Sequence, residues 1–157
     1  MYRLDFLNAQ NKLAEAIKEV AEENELHGTC CALMLPKDLG DTPKDIMLVS
    51  KNAMAPSFLV FGGSYEDWLE IDAVLTRENF IGVTFCKLAK MVESGQDSEI
   101  PFADGQKALG EEDFMGGKIY ETDDRFVLVA MSSNKPKQNN GIVDGVVQKW
   151  LAESKRK

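Results

Sequence analysis

The run FMGGKIYETDDRFVLVAMSSNKPKQNNGIVDGVVQKWL, residues 114–151, carries a turn, two strands, a linker and an amphipathic helix in one unbroken reading. Gly116-Gly117 offers a backbone site where positive φ carries no Cβ penalty. A short strand at Lys118 to Glu121 follows, closed by the polar turn Thr122-Asp123-Asp124. The return strand, Arg125 to Ser132, is almost continuously apolar, which predicts burial on both faces of a sheet. A strand covered on both sides needs helices. Ile142, Val143, Val146, Val147, Trp150 and Leu151 recur along one helical face behind Asn139 and Asn140, residues suited to capping.

The upstream segments read as cover for that unit. Phe6, Leu13, Ile17, Val20 and Ala21 recur at three and four residues, predicting a helix over roughly Asp5 to Glu25 that stops near His27-Gly28. Thr29 to Leu35 reads as a buried strand bounded by Pro36, and Lys37 to Asp45 as a turn. Ile46 to Ser50 is then expected to pair back in a long-looped hairpin. Phe58 to Phe61 is either a third short strand or an extension of the sheet. Ser64 and Asp67 resemble a helix start before Trp68, Ile71 and Leu75. A central helix is expected over Asn79 to Glu93, with Gly82 as its weak point. The long irregular stretch 96–113 either walls a pocket, with Phe102 and Asp104 to Gln106, or serves as a connector. The order helix, strand, strand, helix, strand, strand, helix predicts a single α+β domain over residues 1–157: an antiparallel sheet with packed helices, as in profilin-like and roadblock-like domains.

Composition narrows the function classes. With 44% hydrophobic and 28% charged residues, the 157-residue chain has the make-up of a globular domain with one core. A net charge of −8 opposes binding to a phosphate backbone, so no nucleic-acid partner is expected. Lys155-Arg156-Lys157 reads as a solvated helix end or a recruitment tail. No apolar run approaches a membrane span and the N-terminal residues lack a signal-like apolar core, so the expected location is cytoplasmic, with no membrane partner. Cys30, Cys31 and Cys86 are expected as reduced thiols, the adjacent pair pointing to opposite faces of a strand.

Side-chain chemistry is thin. His27 is the single histidine, a triad hydrolase would depend on it, and no G-x-S-x-G occurs. Gly62-Gly63 lacks the further glycines and lysine of a phosphate loop. None of the carboxylates forms a pair that spacing singles out for acid–base work.

The 114–151 stretch also resembles the GlcG/HbpS-like haem-degrading domain family, whose pattern runs glycine-glycine-apolar-proline, then an apolar strand ending valine-serine-glycine, then an acidic helix start. Gly116 and Gly117 match the first element, and Met131-Ser132-Ser133 stands at the second. Lys118-Ile119, Ser133 and Asn139-Asn140 depart from the pattern. The resemblance implies a small homo-oligomeric domain that binds haem, another tetrapyrrole or a different small molecule. His27 is then the first candidate iron ligand, ahead of Cys30, Cys31, Tyr120 and Met131. Together with Phe102, the residues Gly116, Gly117, Ser132 and Ser133 complete the expected ligand site. The alternative is a non-enzymatic adapter of the roadblock or profilin kind, working through contacts between proteins.

Overall fold

A computed structural model describes residues 2–49, 55–62, 80–99 and 115–154. Four strands form one antiparallel sheet: β1 (Gly28–Pro36), β2 (Ser57–Phe61), β3 (Lys118–Glu121) and β4 (Arg125–Ser133), in the order β2-β1-β4-β3. Four helices are described with it: α1 (Tyr2–Glu23), α2 (Pro43–Val49), α3 (Phe80–Ser94) and α4 (Asn139–Ser154). The chain is therefore α+β, as its pattern predicts.

The two central strands set the layers. β1 is buried along its whole length and β4 from Phe126 onward, so each needs cover on both faces. Alternate residues separate the two cores. Cys30, Ala32, Met34, Val127, Val129 and Met131 point to a core shared with α1 and α4, through Leu13, Ile17, Val143 and Val147. Cys31, Leu33, Leu35, Leu128 and Ala130 point the other way, to Ile46 of α2 and to Leu88 and Met91 of α3. Each fully buried aliphatic side chain contributes about 1.5–3 kcal/mol, so the doubly covered β1–β4 pair is the energetic centre.

Three sequence expectations change. The segment expected to return as a strand at Ile46 to Ser50 is helical, since α2 covers Pro43–Val49, and Ser50 lies outside the described residues. Thr42 Oγ1 accepts the Asp45 N–H at 3.2 Å and Pro43 fills the first helical position, where a missing N–H costs nothing. The partner of β1 is instead β2, with Cys30 opposite Leu59 and Gly28 opposite Phe61. Second, α1 stops before His27-Gly28. The Leu26 N–H reaches Ala21 O and the Glu25 N–H reaches Glu22 O, both at 3.0 Å, with Glu25 at φ +58°. That is a Schellman ending built on glutamate, with Leu26 and Ala21 in the core beside it. Gly28 serves another need, because a Cβ there would lie 1.9 Å from Ser132 O on the neighbouring strand. Third, the positive φ of the glycine pair belongs to Gly116, at +107°. Gly117 is excluded from carrying a side chain by space: its Cβ would fall 2.3 Å from Ser98 Oγ.

The predicted helix around Trp68, the 96–113 pocket wall with Phe102, and the Lys155–Lys157 tail lie outside the described residues, except for residues 96–99.

Candidate functional site

The residues singled out at the glycine pair and at the end of β4 do meet, around a buried lysine. Lys87 lies on the inner face of α3, fully buried, and its Nζ donates to Met115 O and Met131 O, each at 2.6 Å. From the opposite face of the sheet Asn139, first residue of α4, donates through Nδ2 to the same two carbonyls at 3.3 and 3.2 Å. Ser133 Oγ donates to Asn139 Oδ1 at 2.6 Å and accepts the Lys135 N–H at 3.2 Å. Asn140 Oδ1 accepts the Gly116 N–H at 2.6 Å, while Gly117 N–H donates to Ser98 Oγ at 3.1 Å. The two asparagines expected to cap α4 thus send their side chains across to the glycine turn. A buried ammonium is expensive unless hydrogen-bonded, and the carbonyls offset that cost. The arrangement is a clamp that ties α3, α4 and the entry to β3 onto β4.

Ser132 differs from its neighbour. It lies on the α3 side, opposite Thr29, and its fully buried Oγ has no hydrogen-bond partner among the described residues. Thr29 Oγ1, next to it, donates to Phe80 O at 3.0 Å and lies 2.5 Å from Thr84 Oγ1.

His27 immediately precedes β1 and is tied to the residue that follows β4. Its backbone N–H donates to Asn134 Oδ1 and its carbonyl accepts the Asn134 N–H, both at 3.1 Å, and its ring meets Phe80 edge-on at 5.7 Å. With Glu22, Glu25, Leu26 and Gly62 it borders an open cleft of about 340 Å³. The other potential iron ligands do not reach this cleft. Cys30 and Met131 belong to the α1–α4 core and Cys31 to the α2–α3 core. Burial pushes the Cys31 thiol up to about 12 and raises Cys30 further, which disfavours the thiolate that binds metal. Tyr120 donates to Asp144 Oδ1 at 2.8 Å, and burial followed by that bond raises its pKa. Among the described residues no three His, Cys, Asp or Glu side chains form a metal cluster. Of the candidate iron ligands, His27 alone borders the cleft.

Sequence reasoning missed a surface. The outward side of α3 is apolar where solvent should favour charge: Ile81 is 40% exposed and Phe85 46% exposed, with Ala89 exposed four residues on, all on one helical row. Phe85 stacks on Phe58 of β2, ring centres 5.1 Å apart and planes within 6°. The helix thus buries one lysine on an otherwise largely apolar inner face and leaves one phenylalanine outside. The signal was present in the sequence, since Phe80, Val83, Thr84, Leu88 and Met91 define one face on which Lys87 also falls.

The strand beside this row ends the sheet. At the other end, the β3 edge is capped: Ile119 N–H donates to Asp97 Oδ1 at 3.0 Å, and Ser98 N–H donates to Gly117 O at 3.0 Å. Where β2 stops short of the far half of β1, Gln10 Oε1 accepts the Met34 N–H at 3.1 Å. Among the described residues, no strand pairs with the outer edge of β2. Comparison of the chain with protein-family models, with curated proteins and with solved structures gives no match.

Proposed function

We propose that this chain is a non-enzymatic adapter of the profilin-like or roadblock-like kind, which works by holding another protein against the outer row of α3 and the adjoining β2. The observation that carries this reading is the Phe85–Phe58 stack, in which Phe85 is nearly half open to solvent beside exposed Ile81 and Ala89 while Phe58 is half-buried. Exposed apolar residues are ordinary singly, but a contiguous aromatic and aliphatic row marks a contact surface. Aromatic anchors of this kind carry a large share of binding energy between proteins. The buried polar residues agree with this view, since Lys87, Asn139 and Ser133 tie backbone carbonyls and one another across the sheet.

A photo-activated crosslinker placed at position 85 tests the reading, with the same group at exposed Lys12 on α1 as control. Adducts of protein mass should form from position 85 and not from position 12. Equal adducts from both positions, or none from either, would sink it. The small-molecule reading rests on the His27 cleft, whose volume of about 340 Å³ is at the lower end for ligand pockets. For its haem version the expected result is an unchanged Soret band when hemin is added. A shifted band that His27→Ala abolishes would restore that version in place of the adapter.

A further inference from the structure

We draw no further inference here: the strongest candidate, the open cleft between the end of α1 and the start of β1 bordered by Glu22, Glu25, His27 and Gly62, is an acidic pair beside one imidazole with nothing among the described residues to show what occupies it.

Discussion

The sheet has two ends, and the chain treats them in opposite ways. At β3 the edge is closed by side chains: Asp97 takes the Ile119 N–H, Ser98 exchanges bonds with Gly117, and Lys118 pairs with Asp97 at 3.3 Å. Behind it Lys87 and Asn139 fasten the glycine turn to β4 from both faces. At β2 the strand is uncharged, its outer edge is unpaired among the described strands, and an aromatic stack stands beside it. Polar groups placed inside lock the first end, and apolar groups stand outside at the second. The first end costs stability when cut; the second should cost association and little else.

The largest effect is expected at the lock. Lys87→Met keeps most of the side-chain volume but removes the charge-assisted bonds to Met115 O and Met131 O, to which Asn139 still donates. Unfolding free energy should fall by about 3 kcal/mol in urea titration, the scale for hydrogen bonds made by a charged group. A loss below half of that would mean the ammonium contributes little more than its volume. Gly117→Ala comes next. Its Cβ would fall inside the Ser98 side chain, an overpacking expected to cost about 1–3 kcal/mol, against near zero if Ser98 swings away.

How much of this was legible depends on whether a residue acts through period or through a partner distant in sequence. β3 is found where the pattern put it, β4 runs one residue further, α3 lies within a residue of expectation at both ends, and α4 opens at Asn139, one of the two expected starts. Their apolar spacing is local. α2 was misread because Ile46-Met-Leu-Val-Ser has the look of a strand, and the decisive residues, Thr42 and Pro43, precede it. The Schellman ending at Glu25 has no local marker, since glutamate is not the residue that favours φ +58°. Gly116, Gly117 and Ser133, which the sequence places at a ligand site, take part in the lock. They attract notice for the same reason in both roles, which is that backbone approaches backbone closely there. Ser132 was singled out with them and takes no bond in the lock.

Ser132 and Ser133 are adjacent, equally buried and opposite in their bonding, so they sharpen the comparison within the lock itself. Ser133→Ala strips Asn139 Oδ1 of its donor and should cost about 1–2 kcal/mol. Ser132→Ala removes an unpaired buried hydroxyl and should be neutral or stabilising by up to about 1 kcal/mol. A loss at Ser132 equal to that at Ser133 would show that its hydroxyl has a partner after all.

The smallest effect belongs to the hairpin that joins β3 to β4. Asp124 receives Arg125 Nη2 at 2.9 Å and Nε at 3.1 Å, and Thr122 Oγ1 donates to it at 3.0 Å. The bond from Arg125 leads in holding its carboxyl below the usual carboxylate range. A depressed folded pKa means that the unfolded chain takes up the proton first as pH falls. The stabilisation is then complete above the unfolded value and is lost as pH drops through the folded one. Because the pair is exposed, it should amount to a few tenths of a kcal/mol, about the size of a screened surface contact. Urea midpoints for the wild type and Asp124→Asn should therefore differ slightly at neutral pH and converge in acid. A difference that instead widens in acid would reverse the sign of the linkage and remove Arg125 as its cause.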